Sequence, residues 1–310
     1  MQLERSRCTA PQAECLRGGE VTNILAVLEE KTYLDDWAAS VLADPVSKEP
    51  RRLEDFSFID GVLDARVYLR SSAGFKEWAD GQAHYEQWES SSAGYRDSIE
   101  AYLREIEYDA EVYSHFDLSA PIIDVGGGSG TVREFLAESA EYLSVDPFIE
   151  APHQIPPSKA AAYRCLSRPL NFVAGMAEFL PVRSETFRTV HMRSMLDHVQ
   201  VRELAVMEAW RVLEPGGSLL VGLSLGGTPY GGSGAREPLT RRLRTWVGAG
   251  LRRIITREKD HHVWRPRLQD LVVLLEENGF DVGEPFWQSE WKGRVVYIMG
   301  TKRLKIPRSA

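Results

Sequence analysis

Residues 121–130 read Pro-Ile-Ile-Asp-Val-Gly-Gly-Gly-Ser-Gly, and this segment carries more architectural information than any other part of the chain. An apolar run containing one acid, Asp124, ends in four glycines within five residues, and residues 131–140 are compatible with a helix. This order predicts a buried parallel strand, a tight turn and a helix start. Glycine permits the positive φ and the close approach to a ligand that such a turn needs. A helix N-terminus would add N–H donors and partial positive charge.

The spacing of these glycines indicates which ligand the turn suits. The dinucleotide-binding pattern G-x-G-x-x-G fails, because the sixth position is Thr131 counted from Gly126 and Arg133 counted from Gly128. The pattern present is D-x-G-x-G-x-G, formed by Asp124, Gly126, Gly128 and Gly130. A carboxylate at the strand end suits a ligand with an ammonium group rather than a pyrophosphate. The segment resembles motif I of the class I S-adenosylmethionine (SAM) methyltransferases, which implies SAM as cofactor and S-adenosylhomocysteine as product.

The next predicted strand, residues 142–146, ends in a second acid, Asp146, which follows Asp124 by 22 residues. In a βαβ unit this places Asp146 at the carboxyl end of the neighbouring strand, where a carboxylate can accept hydrogen bonds from ribose hydroxyls. The resemblance implies that role here, with Pro147 of the following turn beside the cofactor. The alternative is a surface aspartate that opens the turn.

Residues 171–181 resemble the family's third-strand segment, commonly G-D-A-E-x-L-P. Met176 stands where the family often has an acid that bonds the adenine amino group, so we expect Met176 to pack on the adenine face. The resemblance implies that the backbone N–H of Ala177 faces the ring and that Glu178 supports the loop.

Residues 186–199 resemble the fourth strand and the loop after it, which implies Arg193 at the carboxyl end of that strand, over the cofactor. His198 in the loop is a candidate proton acceptor, although a histidine there is usually a packing and hydrogen-bonding residue. The string R-V-L-E-P-G-G-S-L-L-V at 211–221 is nearly a signature of these enzymes. The resemblance covers residues 95–225 and resumes at 266–302, where two closing strands are expected.

These segments together predict an α/β fold with a seven-stranded, mostly parallel Rossmann-like sheet, a helical N-terminal extension and an inserted lid. We assign residues 1–70 to the extension, 71–118 to an aromatic helical cover and 119–302 to a SAM-binding domain, with the lid at 224–265.

The composition bounds the class of protein. The chain has 310 residues, of which 43% are hydrophobic and 26% charged, as in ordinary soluble proteins. A net charge of −8 argues against a nucleic-acid footprint spread over the surface. Three cysteines without a C-x-x-C pair predict neither a disulfide framework nor a zinc site. No apolar run approaches the roughly 18 residues of a membrane span and no signal-peptide pattern is present, so we expect a cytoplasmic protein. The sequence leaves the oligomeric state open.

Residues 44–66 are similar to a zinc-ribbon-type segment that accompanies some methyltransferases, of the form C-P-x-C followed by D-G-I-x-D. Asp44 and Ser47 stand at the cysteine positions. A zinc site needs about four sulfur or imidazole ligands, so we expect a metal-free module without structural zinc. An ordinary hairpin with a proline turn is the alternative.

Residues 72–113 are unusually rich in aromatic side chains. In this superfamily a helical segment before the first strand covers SAM and lines the substrate pocket, and aromatic rings can close over the methyl-sulfonium. Tyr85, Trp88 and Tyr95 are the substrate-facing candidates. Packing of two amphipathic helices on the sheet is the simpler interpretation.

The insertion at 224–265 begins with five glycines and continues with seven arginines between 236 and 257. Helical spacing of apolar residues over 239–257 predicts a basic amphipathic helix, which could make a peripheral contact with anionic lipid or grip an anionic acceptor through Arg241. A solvated basic face is the third interpretation. We expect the insertion to be a mobile lid that orders over substrate.

The insertion ends in Asp260-His261-His262-Val263-Trp264, which should return the chain to the carboxyl edge of the sheet. A histidine titrates near neutral pH, so His261 or His262 is the predicted base, with Trp264 beside the substrate. Adjacent strand residues point to opposite faces, and of the two we favour His262. Anchoring of the lid is the alternative role. The reserve candidates for the base are His198 and Tyr85.

We therefore predict methyl transfer from SAM to a small molecule, with a hydroxyl of a glycan, lipid-linked or secondary-metabolite acceptor favoured. Such a transfer depends mainly on holding the nucleophile about 3 Å from the methyl carbon in a dry site. The alternatives are an RNA or protein methyltransferase, a SAM-binding protein with other chemistry, and a scaffold that has lost SAM.

Overall fold

The computed structural model describes residues 34–71, 75–92, 98–225, 262–288 and 295–304. Within these ranges the side chains of residue 77 and of residues 85–92 are not among the described parts. The expected lid therefore falls outside the described residues, apart from 224–225 and 262–265.

One ten-stranded sheet organises the described part of the chain. Its strands are β1 Ser57–Ile59, β2 Val62–Asp64, β3 Ile122–Val125, β4 Tyr142–Asp146, β5 Phe172–Ala174, β6 Phe187–Arg193, β7 Leu213–Ser224, β8 Phe280–Val282, β9 Phe286–Trp287 and β10 Val295–Lys302. The order across the sheet is β1-β2-β5-β4-β3-β6-β7-β10-β8, and β9 also pairs with β10. From β2 to β7 all neighbours are parallel, whereas β10 is antiparallel to both of its neighbours.

The predicted fold class is confirmed, and only the number of strands differs. Seven positions, from β5 across to β8, reproduce the expected sheet. The additional strands β1 and β2 come from the N-terminal extension, and β2 joins the sheet through parallel pairing of Leu63 with Val173. The closing segment divides into β8 and β9, which pair with different parts of β10.

Helices cover both faces of the sheet. They are α1 Asp36–Ser40, α2 Phe75–Ser92, α3 Ile99–His115, α4 Pro157–Ala162, α5 Arg202–Val212 and α6 Leu268–Glu277. Successive residues of a strand point to opposite faces of the sheet and pack in different apolar clusters. Ile123 packs with α5 and α6, whereas Ile122 lies on the opposite face, towards α3. Helix α5 buries Ala205 and Ala209, one turn apart on a single stripe, as the apolar spacing predicts. No helix in the described ranges is both long and apolar enough to cross a membrane.

The helix expected after the Gly-rich turn is replaced by one turn of 3₁₀ helix, Thr131–Phe135. Only eleven residues, 131–141, separate the turn from β4, and they must also carry the chain back to the start of that strand. The side chain of Arg133, within this turn, is buried, and its Nη1 donates to the carbonyl of Pro169 at 2.6 Å. The expected contribution of a helix dipole is therefore wrong, because a single short turn provides little dipole.

The segment compared with a zinc ribbon is held together by side-chain hydrogen bonds around Asp44. Its Oδ1 accepts from the backbone N–H groups of Val46 and Ser47 at 2.8 and 2.7 Å, and its Oδ2 lies 2.8 Å from a guanidinium nitrogen of Arg51. The backbone bonds lower the pKa of Asp44. A carboxylate thus closes this turn.

Candidate functional site

A cavity of about 570 Å³ opens at the carboxyl ends of the central parallel strands. Its wall includes the Gly-rich turn after β3, Asp146 at the end of β4, residues 175–178 after β5 and residues 193–195 from the end of β6. Ligand pockets commonly measure roughly 300–1,000 Å³, and open α/β sheets bind ligands at this edge. The structure brings together at one cavity the four segments singled out in the sequence.

The Gly-rich turn has the backbone conformation that its glycines predict. Gly126, Gly128 and Gly130 have φ values of 75°, 49° and 74°. A Cβ on Gly126 would lie 2.6 Å from Cβ of Met195, and one on Gly127 would overlap Asp124 Oδ2. A Cβ on Gly128 would meet no atom within 4 Å, because this residue faces the open cavity. Gly128 therefore presents its backbone directly to the cavity.

Asp124 lies behind this turn rather than in the cavity wall. Its buried carboxylate accepts a hydrogen bond from the Tyr142 hydroxyl at 2.7 Å, and its other oxygen lies 2.7 Å from His191 Nδ1. The Nε2 of the same imidazole lies 3.1 Å from the Tyr113 hydroxyl. Burial raises the pKa of Tyr142 well above its ordinary value, so the phenol remains a neutral donor. The direct ligand contact expected for Asp124 is corrected: this carboxylate anchors the turn from below.

Asp146 connects the Gly-rich turn to the turn that follows β4. Its Oδ2 accepts from the backbone N–H of Gly128 at 3.1 Å, and its Oδ1 accepts from the N–H of Phe148 at 2.9 Å. The residue is buried but contributes to the cavity wall, as does the adjacent Pro147. Each carboxylate oxygen can accept more than one hydrogen bond, and the diol-binding role of Asp146 stays a prediction.

The segment after β5 contributes an apolar surface. Met176 and Ala177 are buried and line the cavity. Glu178 accepts hydrogen bonds at Oε1 from the N–H groups of Gln200 and Val201, at 2.8 and 3.1 Å. Burial raises the pKa of Glu178. Glu178 thus supports the loop after β6, in agreement with its expected structural role.

Arg193 reaches the cavity as part of an ion pair. Its guanidinium binds the buried carboxylate of Asp109 through two nitrogens, with Nη2 at 2.6 Å from Oδ1 and Nη1 paired with Oδ2. The pair joins α3 to the end of β6. Sequence reasoning missed Asp109, although its spacing from the cavity-lining Glu105 puts both acids on one face of α3. Arg193 therefore lines the cavity while the carboxylate of Asp109 balances much of its positive charge.

Three side chains meet where the loop after β6 approaches the return from the insertion: Asp197, His198 and His262, which we call the Asp197 cluster. Asp197 Oδ1 lies 3.7 Å from His198 Nε2, and Asp197 Oδ2 lies 3.5 Å from His262 Nε2. The two imidazoles face each other with ring centroids 4.5 Å apart and planes at 38°. His198 lines the cavity, so the cluster forms part of its wall.

Burial shifts the pKa values of two members of the cluster, Asp197 and His198. Burial, and then the neighbouring charge of His262, lower the pKa of His198 to about 4, so this imidazole is neutral at physiological pH. Burial raises the pKa of Asp197. Two of the three histidines proposed as bases are therefore brought together beside an acid, and His261 lies outside the described residues.

The remaining residues predicted to contact substrate are not found in the described cavity wall. Trp264 is absent from the cavity wall, because its indole packs against α5 with the Arg202 guanidinium 4.9 Å from the ring centroid. Its expected substrate contact is corrected accordingly. The side chains of Tyr85 and Trp88 on α2, and all of Tyr95 and Arg241, lie outside the described residues.

Two cavity residues on α2 were missed. Trp78 Nε1 and Gln82 Nε2 both donate to the carbonyl of His198, at 2.9 and 3.3 Å, and both side chains line the cavity. Their spacing of four residues predicts a shared helix face, which was the available signal. Helix α2 thus contributes two side chains to the cavity wall, and the substrate-facing role of the aromatic cover stays a prediction.

The domain comparison agrees with this geometry. Residues 123–221 match the family model described as a methyltransferase domain, a range that runs from β3 into β7. The match confirms the prediction of a methyltransferase domain over this range.

Two curated proteins are similar to parts of this chain. The ubiquinone/menaquinone biosynthesis C-methyltransferase UbiE of Agrobacterium fabrum is 34% identical over 107 residues, which are 34% of this chain and 41% of that protein. The chloroplastic 2-methyl-6-phytyl-1,4-hydroquinone methyltransferase 1 of Oryza sativa subsp. japonica is 28% identical over 108 residues, 35% of this chain and 31% of that protein. The chain thus spans less than half the length of these relatives.

Solved structures share the fold. The 1,6-didemethyltoxoflavin-N1-methyltransferase of Burkholderia thailandensis, determined with 1,6-didemethyltoxoflavin and S-adenosylhomocysteine, aligns with a TM-score of 0.50 at 15% identity. The alignment covers 80% of this chain and 99% of that chain. At this identity the likeness establishes the Rossmann-like architecture alone.

Proposed function

We propose that this protein is a SAM-dependent methyltransferase acting on a hydroxyl group of a small molecule. The observation that carries the proposal is the single cavity on which the Gly-rich turn, Asp146 and residues 175–178 converge. These segments offer close backbone approach, a carboxylate for a diol and an apolar slot for a base. When bound, SAM supplies an electrophilic methyl group. The match of residues 123–221 to the methyltransferase domain supports the same reaction.

Each part of the cavity has a defined task in this proposal. Asp146 would accept hydrogen bonds from the ribose hydroxyls, and Met176 with Ala177 would enclose the adenine. Glu105 and Arg193 offer opposite charges towards the ammonium and carboxylate of the amino-acid tail, and both line the cavity. Helix α2 excludes water by placing Trp78 over the loop that carries His198.

The Asp197 cluster is the part of the wall suited to handling the acceptor's proton. A hydroxyl becomes a good nucleophile only as its proton is removed, and His198 presents an imidazole at the cavity. Asp197 holds the neighbouring backbone as well, since its carbonyl accepts from the N–H of Val263 at 2.9 Å. We propose that the cluster, rather than any group of the Gly-rich turn, removes this proton.

Alanine substitutions of the two described histidines test that role. His198→Ala and His262→Ala are each expected to lower kcat by roughly 100-fold, the usual size of a proton-transfer contribution. Binding of SAM should be unchanged, because the Gly-rich turn and Asp146 are untouched. His115→Ala is the matched control: His115 is exposed and stacks on Phe286, away from the cavity. Near-native turnover in both test variants would remove the cluster from the mechanism.

The function is tested by incubating the full chain with SAM and a panel of phenols, alcohols and glycosides while S-adenosylhomocysteine release is measured by mass spectrometry. We expect release that depends on a hydroxyl-bearing acceptor and a product heavier by one methylene unit. Salt-sensitive turnover with RNA, or turnover with protein alone, would favour those acceptor classes instead. SAM binding without turnover on any acceptor would favour a non-methylating use of the fold.

Carbon methylation is the second candidate, and the similarity to proteins named as quinone-pathway methyltransferases favours it. Removing the proton of a phenol activates both its oxygen and the adjacent ring carbon, so the same cluster serves either outcome. Proton–carbon NMR of the methylated product separates the two, because an O-methyl and a ring C-methyl carbon have distinct shifts.

Two finer proposals concern segments at the edges of the site. We propose an acceptor that carries a phosphate or carboxylate, supported by the seven arginines between 236 and 257 and by Lys159 on the cavity wall. Flotation with anionic vesicles distinguishes this from a lipid contact of the same arginines.

We also propose that residues 44–66 are a metal-free relative of the zinc-ribbon type, supported by the hydrogen bonds that Asp44 makes in place of metal coordination.

A further inference from the structure

The Asp197 cluster places a buried carboxylate between two imidazoles. Asp197 is almost completely buried, with 4% of its surface exposed. Its two carboxylate oxygens lie 3.7 and 3.5 Å from the nearest imidazole nitrogens, beyond the 2.7–3.2 Å of ordinary N–H···O hydrogen bonds. Among the described residues Asp197 Oδ1 has no hydrogen-bond partner. A buried carboxylate oxygen without one carries a desolvation cost.

The backbone holds the three side chains at this spacing. The carbonyl of Asp197 accepts from the N–H groups of Val263 and Trp264, at 2.9 and 3.3 Å. These bonds attach the segment carrying His262 directly to the residue that carries the carboxylate. One ligand-type atom from each of Asp197, His198 and His262 lies within 4.8 Å of the other two. The cluster is therefore assembled by main-chain contacts and not by attraction between its side chains alone.

We propose that Asp197, His198 and His262 form a binding site for a divalent transition-metal cation of the zinc, cobalt or manganese class. Two imidazoles and one carboxylate are a common donor set for such ions and leave coordination positions open. Metal–ligand distances of about 2.0–2.1 Å in a tetrahedral site place ligand atoms roughly 3.3 Å apart. The two oxygen–nitrogen distances, 3.5 and 3.7 Å, lie within a few tenths of an ångström of that spacing, and all three donor atoms lie within 4.8 Å of one another.

The sequence does not indicate that Asp197, His198 and His262 come together as metal ligands. His198 and His262 are 64 residues apart, with the insertion between them, so no short ligand motif exists. The expectation of a metal-free protein rested on the cysteine pattern and on Asp44 and Ser47. Asp44 and Ser47 lie in the turn before β1, away from the cluster. The donors meet only because the chain returns from the insertion onto the loop after β6.

The catalytic consequence of this site rests on the proposed function, whereas cation binding itself does not. His198 belongs to both the cluster and the cavity wall, so an open coordination position can face the acceptor. An acceptor hydroxyl held there would be more acidic, because the cation would withdraw electron density from its oxygen. With the cation bound, His198 would serve as a ligand, and the proton of the breaking O–H bond would pass to solvent water. The oxygen would then bond to the methyl carbon as the carbon–sulfur bond breaks, and the electron pair of that bond would remain on sulfur.

Cobalt(II) titration tests the site directly. Tag-free full-length protein is stripped with chelator and titrated with Co²⁺ by calorimetry and visible absorption. We expect one ion per chain, with absorption bands of nitrogen–oxygen coordination, and at least roughly tenfold weaker binding in His262→Ala. Because His262 is partly exposed, this variant should remain folded. Asp197→Asn should weaken binding as well, and His115→Ala should not.

Failure of the metal site and failure of the proposed function give different results in these experiments. A flat Co²⁺ titration of folded protein, or binding that His262→Ala leaves unchanged, would overturn the site and leave a plain His262–Asp197 ion pair. Loss of turnover on chelation, restored by Zn²⁺ or Co²⁺ with SAM affinity unchanged, would support the catalytic role. Turnover that is indifferent to chelator would overturn that role, and absence of SAM binding would overturn the proposed function while the Co²⁺ result stands.

Discussion

Gly128→Val is expected to abolish SAM binding while the protein stays folded. Gly128 has a φ of 49° and faces the cavity, and a Cβ there meets no protein atom within 4 Å. The added side chain would therefore occupy space that the ligand needs. We expect affinity to fall by at least roughly 100-fold, or about 2.7 kcal/mol. Equilibrium dialysis with labelled SAM measures the change.

Gly216→Val is the matched control for backbone strain. Gly216 also has a positive φ, 79°, and a Cβ added there would meet no atom within 4 Å, but this residue lies at the exposed start of β7. A β-branched residue is strained at both positions, so both variants should lose stability to a similar extent. Only the variant at Gly128 should lose SAM. Equal binding by both variants would contradict the assignment of the cavity.

Asp124→Ala is expected to destabilise the fold more than any other single change at the site. The substitution leaves the Tyr142 hydroxyl and the His191 imidazole buried without the carboxylate that they both contact at 2.7 Å. Removing one partner from a buried charged contact typically costs about 3–5 kcal/mol. Urea unfolding followed by circular dichroism measures the free energy of unfolding.

A graded comparison separates this network from a general effect of mutation. Tyr142→Phe removes one donor and leaves one carboxylate oxygen unsatisfied, so it should cost about 1–3 kcal/mol. Asp117→Ala removes an exposed acid before β3 and should change stability by less than about 0.5 kcal/mol. If Asp124→Ala proved as mild as Asp117→Ala, Asp124 would not anchor the turn.

The sequence predicted the parts of the site that depend on backbone and local pattern. Positive φ at Gly126, Gly128 and Gly130 follows from glycine chemistry, and the position of Asp146 follows from the βαβ geometry. Both are present. Glu178 was expected to support the loop after β6, and it accepts two backbone hydrogen bonds there. These inferences need only the alternation of strands and turns, which a sequence records.

Features that depend on tertiary placement could not be predicted in the same way. The stretch after Gly130 has helix-compatible residues, but the short return to β4 permits only a 3₁₀ turn. Asp124 was assigned to the ligand because it ends a strand, whereas the aromatic hydroxyl of Tyr142 and the imidazole of His191 take its oxygens. Both partners arrive from neighbouring strands, and no local pattern in the sequence indicates that pairing.

The Asp197 cluster and the Arg193–Asp109 pair are the clearest cases of this limit. His198 and His262 were each considered as a base, but nothing in the sequence placed them around one carboxylate. The partner of Arg193 lies 84 positions away on α3. Long-range pairs of this kind are determined by how helices pack on the sheet, and therefore only the structure reveals them.

The proposed function depends first on binding of SAM by the cavity at the carboxyl edge of the sheet. Isothermal titration of ligand-free, full-length protein with S-adenosylhomocysteine tests it most directly. We predict one site per chain with a dissociation constant in the micromolar range, and no measurable binding by Gly128→Val under the same conditions. A flat titration of the folded wild-type protein, or equal binding by Gly128→Val, would contradict the account.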